Sequence, residues 1–347
     1  MLIKPSLGPN PLRGWQVERG QIRHIGVGLE RPECILAEAD GTLWSADARG
    51  GVMKISQDGR QELIVPGKKS ETSDNAIDLF RGTLPNGLAF AANGDILIAN
   101  FGTDRLEVMT RTGQVKVLCE TIDGMALGKV NFVLRDRQNR IWVTVSTKVN
   151  PWNDALRPDL ADGYIAVLDE RGLRVVADGL HFTNEIRMDA QEEWLYVAET
   201  TAKRVSRFRV GAQGALTHRE VYGPSQLGDG LIDGICFDAY GNLWATMILA
   251  DRLVAITPEG EALELLNDGD PAATAKFEAE FGPGRLPSKE TLMATGGPIC
   301  NWLASVTFGG TDLKTVYLGG LRATNLPYFQ SPVAGLPMSH WTHRSYS

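Results

Sequence analysis

One short hydrophobic pattern recurs along the chain: two or three apolar residues, a turn built on Asp, Asn or Gly, then an apolar pair that usually ends in an aromatic. It runs from Ile35-Leu36-Ala37 to Leu43-Trp44, from Leu88-Ala89-Phe90 to Ile96-Leu97, and from Phe132-Val133-Leu134 to Ile141-Trp142. It returns from Ile186-Arg187-Met188 to Leu195-Tyr196 and from Ile235-Cys236-Phe237 to Leu243-Trp244, with a looser sixth copy from Val306-Thr307-Phe308 to Val316-Tyr317. Period-two runs joined by such turns predict β-hairpins. The anchors Trp44, Leu97, Trp142, Tyr196, Trp244 and Tyr317 are 53, 45, 54, 48 and 73 residues apart, the length of a four-stranded propeller blade with its loops.

Further strands follow each hairpin, as in Gly51–Ile55 and Glu62–Val65 of the first copy and Arg105–Met109 and Val115–Leu118 of the second. The expected fold is all-β: a six-bladed β-propeller of four-stranded blades in a single domain spanning 1–347. Residues Gln21–Gly28 precede the first inner strand and have no blade of their own, so they are expected to close the ring as the outer strand of the last blade, removing a free edge. Two insertions break the rhythm. Asp270 through Gly282 carries an N-cap, a Pro at the first helical position, an Ala/Glu/Phe stretch and a Gly stop, predicting a short helix near 270–282 and a candidate lid. The polar stretch from Lys68 to Leu84 reads as a loop.

A hydrophobic fraction of 43% with 22% charged residues excludes a disordered or fibrous chain. The net charge of −7 and the absence of a basic stripe exclude nucleic acid as an expected partner. No window approaches the run of about 18 apolar residues that a membrane span needs, and the first thirty residues, without a continuous apolar stretch, are not expected to act as a leader. Cys34, Cys119, Cys236 and Cys300 form no disulfide framework and no CxxC, so reduced, mostly buried thiols in a cytoplasmic protein are expected. Oligomeric state is not encoded in any of these features.

The repeats place one polar residue of each blade eleven positions ahead of its anchor, or twelve in the fourth: Glu33, Asn86, Asn131, Asn184 and Asp233. Inner strands of a propeller run in one direction around the channel, so these five should meet in a ring, with Ala304 at the sixth position and Asn301 a substitute there. An isolated Asn or Asp before a strand is most often a turn residue. Five in register are harder to assign to turns alone. Two carboxylates and three amides beside an apolar channel call for a cation, and an all-oxygen set without thiolate or imidazole favours Ca²⁺.

The chain resembles the SMP-30/gluconolactonase/LRE-like family, calcium-dependent six-bladed hydrolases, along nearly its whole length. Carrying residues are Pro32-Glu33-Cys34, Phe182-Thr183-Asn184, Phe308–Leu313 and, most specific, Asp233-Gly234 with Asp238-Ala239-Tyr240-Gly241-Asn242-Leu243-Trp244. The resemblance implies Glu33, Asn184 and Asp233 as metal ligands, with Asn131 as a further ligand or substrate contact. Thr183 and Glu185 replace the family's Pro and Gly, Arg31 stands in a normally Gly-rich approach, and Lys129 stands where many members carry a substrate-binding Arg.

The expected chemistry is metal-assisted hydrolysis of a small-molecule lactone, with Asp233 as base or nucleophile. Asn86, Asn131, Lys129, His181 and Trp152 are the expected substrate contacts, although a lone His or Lys at a strand end is more often a surface group. Another cyclic ester, a cyclic ketone or an organophosphate would suit the same machinery. A second class is a metal-stiffened propeller that only binds, and a third is a strictosidine-synthase-like propeller that condenses substrates without metal; the acidic and amide ring argues against the third. Gly223–Leu227 fails the GxSxG elbow at its last position, and His340 to His343 is expected to lie in an unordered tail.

Overall fold

The computed structural model describes residues 8–66 and 83–341. Its strands form six antiparallel four-stranded sheets, plus a two-stranded ribbon of Thr121–Ile122 with Met125–Ala126. The inner strands are Ile35–Ala37, Pro85–Phe90, Val130–Arg135, Thr183–Met188, Leu231–Phe237 and Leu303–Gly309. Each packs against its neighbours around the ring. The six-bladed propeller read from the repeat spacing is therefore the observed fold.

The anchors explain why the repeat folds this way. Three are tryptophans, and each donates its indole N–H to an acid six residues earlier: Trp44 to Glu38 at 2.6 Å, Trp142 to Asp136 at 2.8 Å and Trp244 to Asp238 at 2.9 Å. The other oxygen of Asp238 accepts the backbone N–H groups of Gly241 and Asn242, both at 2.9 Å, so one carboxylate closes the turn and seats the ring. All three tryptophans are buried. The turn itself needs a left-handed residue, which is Gly41 (φ +88°) and Gly241 (φ +101°) in two copies but Asn139 (φ +62°) and Glu192 (φ +54°) in others.

Closure follows the expected route over a shorter strand: Arg23–Ile25 pairs antiparallel with Tyr328, Pro327 and Leu326 in the last blade. The predicted helix is α1 (Pro271–Glu280), capped by Asp270, whose Oδ1 accepts from the Ala273 N–H at 2.8 Å. A second helix, α2 (Lys289–Ala294), lies in the same insertion and was not expected. Residues 67–82, which hold most of the expected loop from Lys68 to Leu84, lie outside the described residues.

One expectation fails at the C-terminus. His340 is ordered and buried, its Nε2 donating to the Ala37 carbonyl at 2.9 Å and its ring edge-on to Phe90 at 4.9 Å. The segment Leu336–Trp341 lines a cavity at the end of the channel bearing Ala37, Arg135 and Phe308. His343 lies outside the described residues. The four cysteines are free, and Cys34, Cys236 and Cys300 are buried. Among the described residues no helix is long and apolar enough to cross a membrane.

Candidate functional site

The ring residues sit where the inner strands break register. Pairing with the second strand shifts between Pro85 and Leu88, Val130 and Phe132, Thr183 and Ile186, and Ile232 and Ile235, bracketing Asn86, Asn131, Asn184 and Asp233. A bulge leaves a residue out of the ladder and turns its side chain away from the sheet, here toward the channel. Hydroxyls on the second strand satisfy the N–H groups freed by the bulge: Thr144 Oγ1 accepts from Phe132 at 3.0 Å and Thr246 Oγ1 from Gly234 at 2.8 Å. Glu33 reaches the same level from the turn before Ile35.

Glu33, Asn86, Asn131, Asn184 and Asp233 all line one cavity, partly open to solvent, and all five are buried. Their hydrogen bonding divides them. Asn86 is committed to the scaffold: its Nδ2 donates to the Asn131 carbonyl at 3.0 Å and its Oδ1 accepts from Arg31 at 2.7 Å. Asn184 donates through Nδ2 to Thr200 Oγ1 at 3.1 Å, which fixes its other end. Asn131 Oδ1, Asn184 Oδ1 and Asp233 Oδ1 are buried without a hydrogen-bond partner. Leaving such oxygens unpaired is costly unless something absent from the protein itself completes them.

Arg31 is the residue that the sequence did not place in the site. Its guanidinium lies 2.7 Å from Glu33 Oε2, donates to Asn86 Oδ1, and reaches the Pro85 carbonyl at 3.2 Å. It is buried, and its backbone is left-handed at φ +55°, a conformation that costs a side-chain-bearing residue more than glycine. Of the two ring carboxylates Glu33 thus has a direct ion-pair partner, while Arg31 acts on Asp233 only at longer range. Burial raises the Glu33 pKa, with Arg31 and Asn86 opposing the rise. Burial, then Glu33 and Glu185, raise Asp233 well above the ordinary carboxylate range. Glu185 is pushed up to about 7 by burial, against the pull of Arg187 at 2.9 Å. An unpaired carboxylate oxygen and two unpaired amide oxygens lining one cavity with Glu33 are a donor set that could hold a hard cation.

The other expected contacts divide. Trp152 lines the cavity from a short 3-10 turn, Trp152–Ala155, edge-on to Phe101 at 5.3 Å and near Phe182 at 6.1 Å. Lys129 and His181 are not among the lining residues. Lys129 instead pairs with Asp104 at 2.9 Å, and the His181 backbone N–H donates to Glu199 at 3.1 Å. Lys129 stands two residues before Asn131 and His181 three before Asn184, each just ahead of its inner strand. At the sixth position Ala304 is buried, and Asn301, whose Oδ1 is also unpaired, lies outside the lining.

The helical insertion is fastened to the blades. Asp251 accepts the N–H groups of Gly297 at 2.6 Å, Trp302 at 3.2 Å and Leu303 at 2.7 Å, and Asp268 those of Ile299 and Cys300, both at 2.8 Å. Glu278 of α1 pairs with Lys203 and accepts the Gly230 N–H at 2.8 Å. Leu292 of α2 and Trp302 thereby come to line the cavity.

These features define a class: a six-bladed propeller whose inner-strand bulges present an oxygen-rich ring at one end of the channel. The SMP-30/gluconolactonase/LRE-like region matches residues 32–274, most of the chain, and the chain belongs to that family. It is 22% identical over 154 residues to a 6-deoxy-6-sulfogluconolactonase of Pseudomonas putida, a match covering 44% of this chain and 43% of that protein, less than half the relative's length. Among solved structures it superposes on a gluconolactonase of Xanthomonas campestris with TM-score 0.64 at 20% identity, covering 90% of this chain and 89% of the other. It also superposes on regucalcin, a calcium-binding protein of Agrobacterium tumefaciens, with TM-score 0.60 at 14% identity, covering 90% and 95%. At these identities the superpositions speak for the fold.

Proposed function

We propose that the chain is a Ca²⁺-dependent lactone hydrolase in which Glu33, Asn131, Asn184 and Asp233 hold the ion and Asp233 is the general base. The observation that carries this reading is the group of three buried, unpaired oxygens, Asn131 Oδ1, Asn184 Oδ1 and Asp233 Oδ1, lining one cavity with Glu33. The names of the P. putida and X. campestris relatives support a lactone as substrate, and that of regucalcin supports calcium.

A divalent cation, when bound, supplies Lewis-acid polarisation of the substrate carbonyl. Positive charge beside Asp233 favours its carboxylate, offsetting the rise that burial and Glu33 impose. Asp233 then accepts a proton from water as the water oxygen adds to the carbonyl carbon. The ring C–O bond breaks, and the proton passes from Asp233 to the departing alkoxide oxygen, leaving a hydroxy acid. Thr200 holds the Asn184 amide so that its Oδ1 stays directed at the cavity, and the buried floor limits competing water.

Asp233→Asn keeps an oxygen of similar size and removes the base. It should retain much of the metal, by elemental analysis, while turnover falls by about 10²-fold or more. Glu33→Gln should weaken the metal first, with activity partly restored by excess Ca²⁺. A metal-loaded Asp233→Asn as fast as the parent would make Asp233 a ligand only. Full metal occupancy without turnover of lactones, aryl esters, cyclic ketones or organophosphates would leave a binding platform.

A further inference from the structure

Above its polar floor the cavity is lined almost wholly by hydrocarbon. On one side stand Phe101, Trp152, Leu156 and Phe182, and on the other Leu231, Ile248, Leu249, Leu292, Trp302 and Leu321. Polar lining is confined to Arg31, the five ring residues and Thr200, whose hydroxyl already meets Asn184. The indole N–H of Trp302 points away into the insertion, donating to Thr295 Oγ1 at 3.0 Å. Two hydrophobic clusters thus flank the ring, one partly built from the helical insertion and the other from a second insertion, the loop of residues 146–162. The insertions also meet: the Gly284 N–H, between α1 and α2, donates to Asp159 Oδ1 at 3.0 Å in the loop that carries Trp152 and Leu156.

A polyhydroxylated sugar lactone fits such a wall poorly. Its hydroxyls would leave water for a wall that is hydrocarbon apart from two indole N–H groups, and each stranded hydroxyl lowers affinity by about tenfold. A hydrocarbon body gains instead, by about fourfold for each methylene buried. We propose that the site takes an uncharged lactone with an alkyl or aryl body, its carbonyl on the ring and its hydrocarbon between the two insertions, in preference to a sugar lactone. This rests on the hydrolase reading and narrows its substrate.

The test uses the full chain loaded with Ca²⁺ and a series from δ-valerolactone through δ-octalactone and δ-decalactone to δ-dodecalactone, beside dihydrocoumarin and glucono-1,5-lactone. The expected kcat/KM rises two- to fourfold per methylene until the cavity is filled, and glucono-1,5-lactone lies at least about 100-fold below δ-decalactone, as two stranded hydroxyls would impose. Leu292→Ser should flatten the chain-length slope. A sugar lactone hydrolysed as well as δ-decalactone, or a series flat in chain length, overturns the proposal while sparing the hydrolase reading. Binding of 2-alkyltetrahydropyrans, which lack the carbonyl, separates the two ideas through the fluorescence of Trp152 and Trp302. Chain-length-dependent binding without hydrolysis of any lactone keeps the apolar site and sinks the hydrolase; neither binding nor hydrolysis sinks both.

Discussion

Arg31→Gly probes the charge balance of the ring most directly. The change removes the guanidinium 2.7 Å from Glu33, together with its bonds to Asn86 Oδ1 and the Pro85 carbonyl, and leaves Glu33 as buried as before. Removing one partner of a buried ion pair costs about 3–5 kcal/mol. Glycine relieves the left-handed strain at φ +55°, worth about 1–2 kcal/mol, but returns roughly 0.5–1 kcal/mol through its freer unfolded chain. The metal-free variant should therefore be destabilised by about 3 kcal/mol, a fall in Tm of roughly 6–12 °C at about 2–4 °C per kcal/mol. Calcium should narrow the gap, because a cation bound at the ring replaces the missing counter-charge. Its affinity should also rise, by about tenfold or more, since a unit positive charge within several ångströms repels a cation by well over 1 kcal/mol even at an effective dielectric near 20.

The assay is a pair of thermal scans, chelator-treated and calcium-loaded, for parent and variant, with a calorimetric calcium titration of each. An unchanged metal-free Tm would mean that Glu33 does not depend on Arg31 for its charge balance. A weaker calcium affinity in the variant would refute the competition argument and recast Arg31 as the residue that holds Glu33 and Asn86 in position for the ion.

Two further outcomes follow from the packing. Burial depresses the His340 pKa to about 4 from its ordinary 6.5. The unfolded chain therefore takes up a proton that the folded chain refuses, and stability should fall as pH drops from about 6.5 to 4 by about 3 kcal/mol. His340→Gln should show a correspondingly flatter fall in urea midpoints, and parallel profiles would refute the assignment. At Gly234 an added Cβ would stand 2.4 Å from the Ala304 carbonyl oxygen and 2.8 Å from Ser305 Cα, both backbone atoms that cannot swing aside. Gly234→Ala should destabilise by about 1–3 kcal/mol or more and lower metal affinity by moving Asp233; a variant with parental Tm would show that the inner strands yield.

The blades were legible because one physical unit repeats. The acid six residues before Trp44, Trp142 and Trp244 receives an indole N–H in each copy, and Asp136 and Asp238 also close the turn, so an acid recurs at fixed spacing. The ring was legible for the same reason, since register alone brings Asn86, Asn131, Asn184 and Asp233 to one level once each strand bulges there. Arg31 escaped because arginine in a turn is ordinarily a surface residue. His340 escaped because its partner, Ala37, is 303 residues away, a contact that no local pattern records. Lys129 and His181 were placed by analogy of position, and the contact with Asp104 at 2.9 Å that draws Lys129 aside belongs to another blade.

This division bears on where specificity resides. Residues that the propeller repeats are bound to its geometry: a ring position can change its side chain but not its place, because Gly87 and Gly234 leave no room, with added Cβ atoms 2.6 Å from Phe132 Cα and 2.4 Å from the Ala304 oxygen. The cavity wall is under no such constraint. Trp152 and Leu156 come from a loop between the second and third strands of one blade, and Leu292 and Trp302 from an insertion between two blades, neither of which the repeat determines. Those segments can change length and polarity without moving the floor. In this chain both segments have turned apolar side chains to the cavity and meet through Gly284 and Asp159, so on the reading proposed above the choice of substrate lies in the insertions and the chemistry in the blades.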